Sequence, residues 1–213
     1  MNLEPPQSSY DRLVGVNRHR VVLENKKYFH IDGFPRQGNN TLRDVLFRLY
    51  PAMCLMEPLQ HNPDKTQAAI DKGDCVICTI RNPIDCVTSF VGMSQREHED
   101  WFPQQLEEIF DLYYRYCLCI VKNYSKIIVV DFEKTKKLYR DYITSNEENN
   151  DTLKLISKKY SIQTSLIKNK NIKNSEIIPK STYSYSVKNQ LYTDSYFLDN
   201  IEHLVDIYKK IIK

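Results

Sequence analysis

The feature that most constrains this chain is Cys75-Val-Ile-Cys-Thr-Ile80, six residues without a charge or a break. An apolar run that does not alternate suits a strand buried on both faces, and such strands belong to parallel sheets covered by helices. Arg81-Asn82-Pro83 ends the run. Proline is well placed at the first position of a helix and asparagine as its cap, which predicts a helix from Pro83 to about Gln95.

The same alternation recurs along the chain. Tyr28 to Ile31 is β-prone, Asp32-Gly33 breaks it, and Leu42, Val45, Leu46 and Leu49 recur at helical spacing from Thr41 onward. Ala52 to Met56 reads as a short strand, with Glu57-Pro58 at its carboxyl end. Asp64 to Lys72 has helical composition, with Gly73 as its stop. Pro103 opens a helical pattern through Leu106, Ile109, Phe110, Tyr113, Tyr114, Cys117, Ile120 and Val121, and Ile127 to Val130 is a further strand. Strands alternating with helices give an α/β fold, with a central, mainly parallel sheet flanked by helices in three layers.

The remaining segments are simpler. Residues 1–18, with Pro5 and Pro6, form a loosely held lead-in, and Arg20 to Glu24 with Tyr28 to Ile31 form a hairpin or two successive strands. Thr152 to Tyr160 suits a helix. The polar stretch from Ile162 to Tyr192 reads as a lid or acceptor loop, 161–193 at its widest. Asp194 caps a last helix whose stripe, Phe197, Leu198, Ile201, Leu204, Val205, Tyr208 and Ile211, is expected to pack on the sheet. The carboxyl-terminal region is thus mostly loop and helix.

With 213 residues and 41% hydrophobic content, one core and one domain over 1–213 are expected. A formal charge of +3 is nearly balanced and predicts neither a nucleic-acid nor a membrane partner. No run approaches the ~20 apolar residues of a membrane span, and the amino terminus does not resemble a signal peptide, so a cytoplasmic location is the default. Cys75 and Cys78 have zinc or redox spacing, but within a strand they point to opposite faces and read as buried thiols.

Two stretches carry chemistry. Between the first strand and its helix lies Phe34-Pro-Arg-Gln-Gly-Asn-Asn40, and the first amides of a helix lack intrahelical partners, so a phosphate can sit there. Gly33 and Gly38 have the spacing of a nucleoside triphosphatase loop, but Asn39 and Asn40 stand where that loop needs lysine and a hydroxyl for magnesium. What remains is Arg36 as a planar donor, Gly38 for close approach, and two amides. Alone, this is also compatible with a turn whose asparagine caps the helix. In the second stretch Arg81 leaves the buried strand and Ser89 follows two helical turns later. Alone, Arg81 could serve in an ion pair with Asp85.

Together the two stretches resemble the sulfotransferases that use 3′-phosphoadenosine-5′-phosphosulfate (PAPS). Pro35-Arg36-Gln37-Gly38-Asn39-Asn40 stands in the place of their first loop, and Arg81, Asn82, Pro83, Asp85 and Ser89 match their second motif without a gap. Ile127 to Thr135 is similar to a later strand of the family, so the resemblance covers about Tyr28 to Thr135. It implies that the loop amides, with Pro35, Arg36, Gln37, Gly38, Asn39, Asn40 and Thr41, hold the 5′-phosphosulfate. Arg81 and Ser89 would bind the 3′-phosphate, and Lys180 lies where many members place basic residues over it. Gln37 replaces the usual serine, the asparagines replace hydroxyl residues, and Thr41 takes the place of a tryptophan found in some members.

Such a reaction needs cationic donors on the leaving phosphate and a base for the acceptor's proton. Arg36 fits the first role and Glu57 the second, with His61 as its rival. The expected activity is metal-independent sulfuryl transfer from PAPS to a hydroxyl or amine on a small molecule, glycan or peptide. A P-loop nucleotide kinase or triphosphatase and a non-catalytic nucleotide-binding protein of the same fold are the alternatives. Sequence leaves the acceptor and the oligomeric state open.

Overall fold

A computed structural model describes residues 28–49, 54–55, 61–97, 106–144, 146–161 and 184–213. Four parallel strands, β1 (Tyr28–Asp32), β2 (Cys54–Leu55), β3 (Cys75–Ile80) and β4 (Ile128–Asp131), form a sheet in the order β2-β1-β3-β4. The chain moves from β1 outward to β2, then returns across β1 to β3. The order therefore reverses between β1 and β3, and in open α/β sheets the crevice at the carboxyl ends of such a strand pair is where ligands bind.

Helices cover both faces. Phe29 and Ile31 of β1 and Cys75 and Ile77 of β3 pack with α1 (Asn39–Leu49), α5 (Phe132–Ile143) and α6 (Asp151–Tyr160). Val76, Cys78 and Ile80 of β3 face the opposite layer, made of α2 (Pro63–Asp71), α3 (Pro83–Glu97), α4 (Leu106–Lys122), α7 (Ser184–Leu191) and α8 (Ser195–Ile212). All six residues of β3 are buried, as its unbroken apolar pattern requires. Cys75 and Cys78 enter different layers, and five described cysteines, both of these among them, are buried.

Local chemistry sets the helix ends. Asn62 accepts from the Asp64 and Lys65 amides and Pro63 opens α2. Asn82 accepts from the Ile84 amide, and Pro83 opens α3, which runs two residues past Gln95. Asn150 caps α6 and Asp194 caps α8.

Three expectations change. Ser184 to Leu191, read as part of a polar loop, is a helix, because Val187 and Leu191 supply one buried contact per turn against α3. The α8 stripe packs chiefly on α4 rather than on the sheet, since the intervening layer is already filled by α3 and α4; Leu198 is exposed. Val121 is likewise exposed at the end of α4. The lead-in, the Arg20 to Glu24 strand and residues 162–183 lie outside the described residues. No described helix is long and apolar enough to cross a membrane.

Candidate functional site

The loop joining β1 to α1 and the turn joining β3 to α3 meet at the reversal point. Arg36 adopts a left-handed backbone, φ +68°, which turns its carbonyl and side chain toward α3. Its Nε donates to Ser89 Oγ at 3.1 Å, and Arg81 Nη1 donates to the Arg36 carbonyl at 3.2 Å. Cys86 Sγ, one turn before Ser89, donates weakly to the Pro35 carbonyl at 3.1 Å. Burial pushes the Cys86 thiol up, so it remains a donor. Three residues of the second stretch thus hold the backbone and guanidinium of the first.

Arg81 also lies 4.3 Å from the ring centroid of Phe132, a cation–π distance, and Lys136 lies 5.3 Å from the same ring. Gly38, at φ +88°, passes so close to this ring that an added Cβ would be 2.9 Å from it. The glycine is therefore required by its backbone and by Phe132. Phe132 starts α5, whose cap Asp131 accepts from the Glu133 amide and from the Tyr208 hydroxyl at 2.6 Å.

At the start of α1 the first intrahelical bond runs from the Leu42 amide to the Gly38 carbonyl. The amides of Asn39, Asn40 and Thr41 precede it, and the first turn carries no acidic residue to oppose an anion. Asn40 is exposed and Thr41 half-buried. Asn39 turns inward: Thr79 Oγ1 donates to its Oδ1, while its Nδ2 faces the Gly33 and Phe34 carbonyls at 3.3 and 3.4 Å. The asparagine side chain thus braces the loop from beneath. Gln37 is buried too, with its Oε1 close to Gly33 and without a hydrogen-bond partner among the described residues.

His61 stands on the other side of the loop, just before α2, also with a left-handed backbone at φ +55°. Its Nδ1 is 2.7 Å from the Gly33 carbonyl oxygen. A carbonyl only accepts, so Nδ1 carries the hydrogen and, in the neutral ring, Nε2 carries the lone pair. Asn39 Nδ2, 3.4 Å from Nδ1, is then donor against donor and adds no bond. Glu57 and Lys180 lie outside the described residues.

Beneath His61 is Asp32, which in the sequence marks only the break after the first β-prone run. It is 1% exposed. Thr66 Oγ1 and the Tyr116 hydroxyl donate to its Oδ2 at 2.8 and 2.9 Å, and its Oδ1 is 3.6 Å from His61 Nδ1. Burial first, and then the neighbouring Asp32 charge, push the Tyr116 phenol up, which keeps it a donor. The readable signal was alternation: with Phe29 and Ile31 on one face of β1, His30 and Asp32 must enter the other.

The fold and the site together define an α/β protein with a glycine-bearing strand-to-helix loop at the switch point of a parallel sheet, two arginines meeting there and a histidine beside it. No family model matches the chain, and no curated protein matches it. Among solved structures, the crystal structure of mouse sulfotransferase SULT7A1 complexed with PAP is similar over 87% of this chain and 88% of that one, with 13% identity and a TM-score of 0.48. The fold class rests on the sheet order and helix layers of this chain itself. Among the described residues no group of three or more His, Cys, Asp and Glu side chains could hold a metal ion.

Proposed function

We propose that this protein is a sulfotransferase that moves a sulfuryl group from PAPS to a hydroxyl or amine of a small molecule, glycan or peptide, without a resident metal. The observation that carries the reading is the bonding of Arg81 to the Arg36 carbonyl and of Arg36 to Ser89, which brings the two phosphate-type motifs into contact. A nucleotide phosphorylated at both ends of its ribose needs two such centres.

In this reading the α1 amides and Arg36 hold the 5′-phosphosulfate, and Arg81 and Ser89 hold the 3′-phosphate. The acceptor oxygen or nitrogen attacks sulfur, the bond from sulfur to the bridging phosphate oxygen breaks, and adenosine 3′,5′-bisphosphate leaves as the anion that Arg36 and the amides neutralise. The acceptor's proton passes to His61 Nε2, the ring nitrogen left unprotonated by the Gly33 bond. A positioned base of this kind contributes ~10²–10⁴-fold in rate. Asn39, with its amide spent inside the loop, contributes its backbone N–H and not its side chain.

A thermal-shift comparison of adenosine 3′,5′-bisphosphate with Mg·ATP tests the reading. At 100 times its Kd the bisphosphate should stabilise by about 2.7 kcal/mol, and PAPS should then sulfate members of an acceptor panel. A larger shift with Mg·ATP, accompanied by phosphate release, points to a nucleotide kinase or triphosphatase instead. Bisphosphate binding with no transfer to any acceptor leaves a non-catalytic nucleotide-binding protein.

A further inference from the structure

We infer that Asp32 is a positioning residue for His61, and that β1, α2 and α4 together build a carboxylate–imidazole pair that keeps Nε2 free to take a proton. The inference rests on the sulfotransferase reading for the identity of that proton, but not for the pair itself. A carboxylate buried to 1% exposure at the carboxyl end of a central strand is costly unless its oxygens are satisfied. Here the satisfaction is divided: both hydroxyl donors, from Thr66 on α2 and Tyr116 on α4, go to Oδ2, and Oδ1 is left toward His61 Nδ1 at 3.6 Å. His61 in turn is held by its Nδ1–H on the Gly33 carbonyl, and its side chain is 39% exposed.

The division gives each neighbour a separate task. The Gly33 carbonyl selects the tautomer, and Asp32 supplies the negative charge that offsets the imidazolium formed when Nε2 accepts a proton, as the buried carboxylate of a catalytic triad does. Thr66 and Tyr116 keep the carboxylate from rotating. The left-handed backbone of His61, strained for a side chain of its size, is consistent with a site that overrides local preference. A cluster that merely held β1 to α2 and α4 would have no need of His61.

The isosteric variant Asp32→Asn separates these readings. Thr66 and Tyr116 both donate to Oδ2 in the parent, and an asparagine that keeps these bonds places its oxygen there and its NH₂ toward His61 Nδ1, where the negative charge is gone. The Gly33 carbonyl, 2.7 Å from Nδ1, still holds the hydrogen there, so the variant keeps the tautomer and loses the charge that offsets the imidazolium. Nitrogen-15 histidine NMR on the ligand-free full chain, with the signal assigned by its loss in His61→Gln, should show Nδ1 protonated in the parent and in Asp32→Asn alike, with the ring-nitrogen signals moved in the variant. Turnover should fall by about tenfold or more, a part of the ~10²–10⁴-fold that a positioned base contributes, while the affinity for adenosine 3′,5′-bisphosphate stays within about twofold.

If Asp32→Asn does not fold, Tyr116→Phe keeps the charge and frees one side of Oδ2. It should move the His61 nitrogen signals and lower kcat severalfold at unchanged KM for PAPS. An Nε2-protonated parent, or His61 signals and kcat indifferent to these substitutions, overturns the inference. His61 signals that follow Asp32 in a protein that does not bind the bisphosphate keep the pair and remove the sulfotransferase reading. Bisphosphate binding with an indifferent His61 does the reverse.

Discussion

Arg36 and His61, the two side chains closest to the proposed chemistry, both sit in the left-handed backbone region where non-glycine residues are uncommon. That conformation costs about 1–2 kcal/mol for a residue with a Cβ, so both positions trade stability for placement. Arg36→Gly should therefore leave the unfolding free energy within about 1 kcal/mol of the parent, because relaxed backbone offsets the lost Ser89 bond. It should weaken bisphosphate binding tenfold or more, as loss of a charge-assisted bond of ~1.5–3 kcal/mol requires. Gly38→Ala should behave in the opposite way. At φ +88°, with Phe132 2.9 Å from the new Cβ, it should lower urea stability by more than the ~1–2 kcal/mol of backbone strain alone. A denaturant midpoint unchanged in Gly38→Ala, or sharply lowered in Arg36→Gly, would contradict this division of roles.

At the scale of elements, sequence was informative wherever the chain carries its own punctuation. The Asn82-Pro83 start of α3, the Asp194 start of α8, the Gly73 stop after α2 and the double-sided burial of β3 follow from caps, proline geometry and an unbroken apolar run. Helix α7 was not legible, because a short helix whose buried contacts include only isolated apolar residues such as Val187 and Leu191, in a polar stretch, has little periodicity to read. Leu191→Ala measures what that helix contributes: a fully buried leucine against α3 should cost about 2–5 kcal/mol in chemical denaturation. Asn62→Ala should lose about 0.5–2 kcal/mol through its cap, and should also lower kcat more than bisphosphate affinity, since His61 is the next residue back. The Asp32 network was hidden for a different reason. Its members lie at positions 32, 61, 66 and 116, and only the packing of α2 and α4 on β1 brings them together.

For the whole molecule, the site is a product of topology. Reversal of the strand order between β1 and β3 opens the crevice, and the two motifs sit at its two edges. The surrounding core sets a pH limit. Burial pushes the Cys117 thiol up from about 9 to about 12 and holds Cys78 and Cys86 well above the ordinary thiol range. Between those values the native state keeps protons that the unfolded chain has released, so stability is fully present below about pH 9 and declines as pH rises toward 12. Urea midpoints measured from pH 7 to 11 should fall along this course, and Cys117→Ala should flatten it while lowering the starting value.

The bond from Tyr208 to Asp131 sets an order of events during synthesis. Both arginine-bearing stretches leave the ribosome long before α8, yet the cap of the helix whose first residue lies against Arg81 accepts a hydroxyl from α8. A nascent chain therefore carries both stretches before that bond to the cap can form. Nucleotide added during translation should be retained more firmly once α8 has emerged and docked.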